Sequence, residues 1–260
     1  MKWLPMALLL VILPVPPAFT GTFLEDFSDG DLDDWDIFGF PRELDLDDIL
    51  KIEGGRLVVD TRIKKRELPD IVSKGGTLEL DVGGEENWDS YTLTFRVRFQ
   101  EIPIGWPLSV FHVTVRKRWQ KIDDHWEADS QGMDIYLEMQ WVFVSTNPPG
   151  DPPGVAVDRQ FLRFENLRRP IKPRRWLPIK IVAEKEFFEF NFDENVIAQY
   201  VDDTAVPGTV SFHISTGLLV HLDDIKITGP DIPNNDVPHS VNDGALLAST
   251  WGEIKSLAGR

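Results

Sequence analysis

Two carboxylates and a tyrosine alternate along one predicted strand. Asp134, Tyr136 and Glu138 fall on the same face of the segment DIYLE, because every second side chain of a strand points the same way. A pair of carboxylic acids is what a glycoside hydrolase uses, but a retaining pair needs carboxyl groups about 5–5.5 Å apart. Alpha carbons four residues apart on a strand are separated by about 13 Å. The alternative is that these residues simply cover the solvated face of a sheet.

Aromatic residues beside polar groups indicate sugar binding. Trp119 and Trp126 flank the polar segment QKIDDH, which leads into the predicted strand with Tyr136 and Glu138. Aromatic rings stack on the C–H faces of sugars, while charged groups bond the hydroxyls. We therefore predict one cleft lined by Trp119, Trp126, Tyr136, Glu138 and Arg116. The alternative is that the tryptophans are core residues, in which case Trp126→Ala should unfold the protein rather than weaken binding.

Short strands must position these residues. Between Trp176 and Gly229 apolar and polar residues alternate between turn signals, which predicts four or five antiparallel strands. Further strands are predicted over residues 90–99, 109–116 and 132–144, with an exposed polar loop over residues 117–131. The sequence thus predicts an all-β chain, a two-sheet antiparallel β-sandwich with Trp35 and Trp176 in its core.

These strands resemble a known fold family. The Trp-led strand after Arg175, the hairpin that follows and the final LDDIKI are similar to the second half of concanavalin A-like lectin/glucanase jelly rolls, which include laminin-G-like and 3-keto-disaccharide hydrolase-like domains. FLEDFSDGDLDDWDIF and GGRLVVD resemble the opening strands of that family. The resemblance covers residues 22–229 and implies a first strand beside the last. DIYLE is similar to the family's E-x-D-x-E catalytic strand, but Asp134 replaces the first Glu and Tyr136 the central Asp.

The resemblance also implies a structural calcium ion. If the first and last strands adjoin, Glu25 and Asp26 come near Asp223 and Asp224. Calcium takes six to eight oxygen ligands, which these carboxylates and nearby backbone carbonyls would supply. We predict that Ca²⁺ binds there and that a chelator lowers the melting temperature, because a ligand bound only to the native state stabilises it. The alternative is that these acids cap turns and pair with Lys or Arg.

Composition excludes several classes of chemistry. The chain has 260 residues, no cysteine and a net charge of −16. Thiol catalysis and cysteine-ligated metals are therefore excluded. The negative charge repels polyanions, which predicts that nucleic acid is not a partner.

Both ends of the chain differ from the sandwich between them. Residues 1–20 contain a lysine, a short apolar run and small residues, which is typical of a secretory signal peptide. The run is too short to span a bilayer, which takes about 20 residues. We predict a secreted protein, extracellular or periplasmic, with no transmembrane segment. Residues 21–229 would form the sandwich, and residues 230–260 a linker and a short C-terminal tail with a role in cell-surface association.

Three function classes remain open at the level of sequence. The preferred interpretation is an exported carbohydrate-binding domain without catalysis, whose partner is a polysaccharide or glycan. The alternative is a hydrolase of a glycan or keto-sugar that uses Asp134 and Glu138. A second alternative is a structural or adhesive surface domain. The fold hosts all three, so the decision rests on the site.

Overall fold

The fold is built from antiparallel strands. The computed structural model describes residues 20–38, 46–62, 77–82, 88–101, 111–122, 125–129, 132–137, 141–147, 160–166, 171–203, 205–215 and 217–234. Within these ranges the chain forms sixteen strands, and Leu46–Asp48 form a short 3₁₀ turn.

Two eight-stranded sheets share these strands. Sheet A contains β1 (Gly21–Glu25), β3 (Leu50–Ile52), β4 (Leu57–Asp60), β6 (Ser90–Glu101), β12 (Leu177–Glu184), β13 (Phe187–Phe192), β14 (Asn195–Val201) and β16 (Leu219–Gly229). Sheet B contains β2 (Trp35–Phe38), β5 (Thr77–Val82), β7 (Phe111–Ile122), β8 (His125–Asp129), β9 (Gly132–Leu137), β10 (Trp141–Asn147), β11 (Gln160–Asn166) and β15 (Thr209–Ser215).

The strand order joins distant parts of the chain. Sheet A runs β14-β13-β12-β6-β16-β4-β3 with β1 on β16, and sheet B runs β11-β10-β9-β7-β15-β5-β2 with β8 on β7. The first strand pairs with the last, with Phe23 opposite Ile227 and Glu25 opposite Ile225. The predicted two-sheet antiparallel sandwich is confirmed, and so is the predicted pairing of its first and last strands.

Alternating apolar residues of both sheets form the core. Phe212 lies at its centre, with ring centroids 5.1 Å from Phe95, 5.8 Å from Trp35 and 6.5 Å from Phe111. The prediction that Trp35 is a core residue is confirmed. Trp176 is only half-buried and lies beside sheet A, so its prediction as a core residue was wrong.

Two local predictions about sheet B were wrong. Residues 132–144 do not form one strand, because β9 ends at Leu137 and β10 returns beside it with Val142 opposite Leu137. Residues 117–131 are not one loop, because β7 continues to Ile122 and pairs with β8 as a hairpin. Both errors arise because alternation shows that a segment is extended but not where it turns back.

A β-bulge in β7 divides that strand into two parts. Thr209 lies opposite Lys117 and Val210 opposite Val115, so Arg116 is the extra residue, and its φ of 56° is in the left-handed region. Residues Phe111–Val115 pair with β9, whereas Arg118–Ile122 pair with β8. Regular alternation after the core residue Val115 would turn Arg116 outward and Lys117 inward, and the bulge reverses this assignment.

The predicted signal peptide and C-terminal tail lie mostly outside the described residues, which do not include residues 1–19 and 235–260. The first residues of the predicted linker pack on the sandwich, since Ile232 is buried and its backbone NH donates to Gly229. In the described ranges, no helix has the length and apolar character needed to cross a membrane.

Candidate functional site

The face of sheet B turned away from the core presents two rows of side-chain positions. The strand register places one residue from each of β5, β15, β7, β9 and β10 side by side in both rows. The histidine row consists of Glu79, His213, His112, Tyr136 and Phe143. The aspartate row consists of Asp81, Ser211, Thr114, Asp134 and Ser145. Five strands at about 4.8 Å spacing give a face roughly 19 Å across.

Two stacked imidazoles occupy the centre of the histidine row. The ring centroids of His112 and His213 are 4.0 Å apart, and the rings are nearly parallel, with an interplanar angle of 9°. The Nε2 atom of His213 lies 3.1 Å from Thr114 Oγ1 and 2.9 Å from Ser211 Oγ, and each contact takes its direction from the tautomer of His213. Both rings are partly exposed. Their faces and edges therefore combine an apolar surface with donors and acceptors, which is the composition of a sugar contact.

A carboxylate supports this histidine pair from the side. Ser211 Oγ donates to Glu79 Oε1 at 3.3 Å, and Glu79 Oε2 lies 3.7 Å from His213 Nδ1. The chain of contacts from Glu79 through Ser211 to His213 holds the ring in one orientation. A side chain fixed in this way loses little freedom when it binds a ligand.

A buried ion pair anchors the aspartate row. Asp81 is fully buried and Lys117 is 3% exposed, and Lys117 Nζ donates to Asp81 Oδ2 at 3.1 Å and Oδ1 at 3.3 Å. Lys117 also pairs with Glu79. The bulge at Arg116 directs Lys117 towards these acids, so one ammonium group pairs with a carboxylate from each row, Glu79 and Asp81.

Arg116 lies in the interior, whereas we predicted it in an open cleft. It is 2% exposed, its Nη2 donates to the carbonyl of Asp89 at 2.7 Å, and its guanidinium lies 4.8 Å from the Phe188 ring centroid. Its backbone NH donates to Tyr91 Oη at 2.8 Å. Burial lowers the pKa of Arg116. We therefore leave Arg116 out of the set of ligand contacts.

The register separates the other predicted contacts into two regions. Tyr136 lies opposite His112, and Asp134 lies opposite Thr114. The positions of Trp119 and Trp126 are on one face of the β7–β8 hairpin. Trp126 is opposite Lys121, which is two residues after Trp119 and therefore on the same side of β7.

The two regions lie well apart along β7. Trp119 is seven residues beyond His112, which corresponds to roughly 23 Å along an extended strand. The backbone positions of Trp119 and Trp126 are therefore in a different part of sheet B from that of Tyr136, and the single cleft that we predicted from the sequence stays a prediction. Glu138 lies outside the described residues.

Sequence reasoning missed the residues that connect the histidine row. Five of them were not predicted as site residues: Glu79, Asp81, Lys117, Ser211 and His213. Polar residues alternate with Leu and Val in β5 and with Val, Phe and Ile in β15, which indicates an outward polar face. That β5 and β15 are neighbours is decided only by pairing between residues 128 to 138 positions apart.

Comparisons with known proteins agree on the architecture. No protein-family model and no curated protein sequence matches the chain. The carbohydrate recognition domain of Emp46p, in its metal-free form, matches with a TM-score of 0.52 and 13% identity, over 75% of this chain and 88% of that one. A native glycosidic hydrolase matches with a TM-score of 0.51 and 11% identity, over 82% and 97%. A structure named for endo-acting O-glycanases of the human gut microbiota matches with a TM-score of 0.53 and 13% identity, over 79% and 97%.

The chain has the concanavalin A-like sandwich fold. This confirms the family resemblance at the level of architecture. At identities this low the likeness establishes the fold alone, because one fold hosts many activities.

The predicted calcium ligands do not form one site. Glu25 accepts from the Phe27 NH at 2.6 Å and from Trp35 Nε1 at 3.3 Å, and its burial raises its pKa. Asp223 and Asp224 both pair with Arg96. Among the described residues, no group of three or more His, Asp or Glu side chains is placed to hold a metal.

Arg96 thus occupies the position of a cation beside Asp223 and Asp224. The Emp46p domain is also known in a potassium-bound form, with a TM-score of 0.51 and 12% identity to this chain over 75% of this chain and 88% of that one. The four residues that we predicted as calcium ligands do not fit a calcium ion, because calcium requires several oxygen ligands that converge on one point. We derive no role for calcium from them.

Proposed function

We propose that this protein binds a carbohydrate on the outer face of sheet B without cleaving it. The observation that supports this most is the stacked His112–His213 pair at the centre of the histidine row, in register with Tyr136 and Phe143. Aromatic and imidazole faces suit the C–H surface of a sugar, and the imidazole edges suit its hydroxyls. The fold is one that carbohydrate recognition domains and glycosidic hydrolases share.

The surroundings of Asp134 favour binding over hydrolysis. In the described strands on either side of it, the same-face neighbours of Asp134 are Thr114 and Ser145, neither of which is an acid. Asp81, in the same row, is three strands away, or roughly 14 Å, and pairs with Lys117. Paired catalytic carboxyls are about 5–5.5 Å apart in retaining enzymes and 6.5–9.5 Å in inverting ones.

A direct test combines a glycan array with calorimetry on the sugars that the array identifies. His213→Ala removes the central ring, and we expect it to weaken binding at least about tenfold, because a fixed hydrogen-bonding and stacking surface is lost. Gln199→Ala is the control, since Gln199 is exposed on sheet A. Unchanged affinity of the His213 variant, with its fold intact by circular dichroism, would show that the face of sheet B is not the binding site.

The same assay decides whether the β7–β8 hairpin belongs to the binding surface. We propose that the face containing Trp119 and Trp126 extends the surface for a longer polysaccharide. In that case Trp126→Ala weakens binding of long chains more than of short ones and leaves the melting temperature unchanged. Unfolding of this variant would instead make Trp126 a core residue.

Product analysis separates the remaining function classes. Retention of the sugar without release of reducing ends is the result expected of a binding domain. Release of a product that Asp134→Asn abolishes would establish the hydrolase, and Glu138 would then be the second acid to replace. Failure to retain any glycan would favour the adhesive surface domain. Export of the protein, through residues 1–20, is part of this proposal because extracellular glycans are its ligands.

Calcium is tested separately from sugar binding. Because Arg96 already neutralises Asp223 and Asp224, we expect excess EDTA to leave the melting temperature unchanged. The measurement is a thermal melt with EDTA and then with added CaCl₂, using MgCl₂ as the ionic-strength control. A lower melting temperature that calcium alone restores would place an ion on residues outside those described.

A further inference from the structure

Three arginines and a tryptophan surround a buried histidine on the outer face of sheet A. His221 is 7% exposed, and its ring meets that of Trp176 edge-on at 6.4 Å. The guanidinium carbons of Arg96 and Arg98 lie 5.2 and 4.8 Å from the centroid of the Trp176 ring. Arg56 is the third arginine. We call these five residues the arginine cluster.

A tight turn brings Arg56 to this cluster. Gly54 and Gly55 both have positive φ, 60° and 68°, which only glycine adopts readily, and they reverse the chain between β3 and β4. The NH of Glu53 donates to the carbonyl of Arg56 at 3.0 Å and closes the turn. Leu57, the next residue, lies opposite Leu222 on β16. Arg56 is therefore held close to His221 by backbone pairing.

Positive charge in the cluster is only partly neutralised. Arg96 pairs with Asp223 and Asp224, but no carboxylate in the described part of the chain contacts Arg56 or Arg98. The Nε atoms of Arg56 and Arg98 are buried without a hydrogen-bond partner. Burial, together with the positive charge of Arg56, lowers the pKa of Arg98. Two neighbouring like charges with unused donors favour an anion placed between them.

His221 contributes to this charge pattern by remaining neutral. Its burial, together with the charges of Arg98 and Arg56, lowers its pKa to about 4. Arginine can only donate, so His221 Nδ1 accepts from Arg98 Nη2 at 3.1 Å. The proton is then on Nε2, which lies 2.9 Å from Gln100 Nε2. Two donors cannot pair, so we assign the Gln100 amide in the opposite orientation, with its oxygen accepting from His221 Nε2. Arg98 is fixed by both His221 and Trp176 before any ligand arrives.

We propose that Arg56 and Arg98 bind an oxyanion carried by an acidic polysaccharide, either a sulfate ester or a uronate carboxylate. Guanidinium groups recognise both oxyanions through paired charge-assisted hydrogen bonds. The cation–π contacts with Trp176 preorganise Arg98 for this contact. The net charge of −16 repels a polyanion from the protein as a whole, so binding of one requires a local cluster of positive charge. The arginine cluster lies on the opposite sheet from the histidine row, and the inference stands without the proposed function.

The experiment measures binding of the full chain to dextran sulfate, polygalacturonate, unmodified dextran and sodium sulfate by calorimetry. The variants are Arg56→Gln and Arg98→Gln, and the control is Arg175→Gln, which removes the same charge from an exposed arginine paired with Asp193. We expect one or both acidic polymers to bind and dextran not to, with each cluster variant at least about tenfold weaker and the control nearly unchanged. Binding of sodium sulfate with the same arginine dependence would assign the site to free anions as well as polymers.

Two outcomes would overturn this inference. Equal weakening by Arg175→Gln would mean that net charge alone governs binding, and no binding of any anion by the wild type would mean that the site is absent. Since His213→Ala leaves the arginine cluster intact, failure of the proposed sugar face and failure of the anion site are distinguishable.

A second readout does not depend on the variants. A bound anion favours the imidazolium form, so in NMR titrations of the wild type the pKa of His221 should rise from about 4 when the acidic ligand is present. Linkage then requires that binding tighten as pH falls through the raised pKa. Among the described residues, Arg98 and Arg56 act on His221 through their charge, and the Arg96–Asp223 ion pair lies next along the same two strands. An unchanged pKa of His221 at saturating ligand would place the anion elsewhere.

Discussion

Replacing Lys117 by Met should lower the free energy of unfolding by about 3–5 kcal/mol, because it leaves a buried charge without its partner. Asp81 is fully buried beside the Lys117 ammonium group, and Glu79 depends on the same group. Removing the cation keeps the volume of the side chain but leaves the carboxylates in an environment that disfavours their charge. Urea denaturation at neutral pH measures the loss through the shift in midpoint.

Two further variants separate this buried charge from the loss of any lysine. Lys180→Met removes an exposed lysine of β12, and we expect it to change stability by no more than about 0.5 kcal/mol. Adding Asp81→Leu to Lys117→Met should recover part of the stability, because an apolar pair can replace a buried ion pair. A midpoint for Lys117→Met equal to that of Lys180→Met would mean that water reaches the pair and that the row is not anchored by it.

Replacing Phe212 by Ala should cost about 3–5 kcal/mol, the usual range for a large buried aromatic side chain. Its ring contacts Trp35 on β2, Phe95 on β6 and Phe111 on β7, so it joins both sheets at one point. The cavity that the missing ring leaves would be lined by side chains of three other strands, so a shift of one strand would not fill it. Thermal and urea unfolding measure the loss.

The matched control for Phe212 is an exposed apolar residue of a strand. Val201 is 63% exposed at the end of β14, and Val201→Ala is expected to stay within about 0.5 kcal/mol of wild type. A cost below about 1 kcal/mol for Phe212→Ala would mean that the surrounding rings collapse into the space. The core would then be less rigid than its aromatic contacts indicate.

The two faces of this sandwich offer different chemistry. The outer face of sheet B combines stacked histidines with hydroxyl and carboxylate groups, whereas that of sheet A combines arginines with one tryptophan. If both proposals hold, neutral and acidic parts of a polysaccharide would bind on opposite sides of one domain. Two separate contacts with one long chain would raise its overall affinity above that of either site, provided that the chain can reach both.

Sequence alone determined the class of structure and many of its buried residues. Phe188, Phe190 and Phe192 are 4%, 3% and 6% exposed, as their alternation with polar residues predicts. The strands of the C-terminal segment were also predictable, because turn residues mark their ends. These features depend on neighbouring residues only, which is the information that a local pattern contains.

Tertiary structure alone decided the candidate sites. His112 and His213 are 101 positions apart in the chain, and only the pairing of β7 with β15 stacks their rings. The bulge at Arg116 placed one basic side chain in the core and directed the next, Lys117, to Asp81 of the aspartate row, although both look alike in sequence. The same holds for Arg56, in the turn between β3 and β4, and Arg98, on β6, which converge on His221. Alternation tells which face a residue is on, but register between distant strands decides which residues share that face, and register follows from packing the whole core at once.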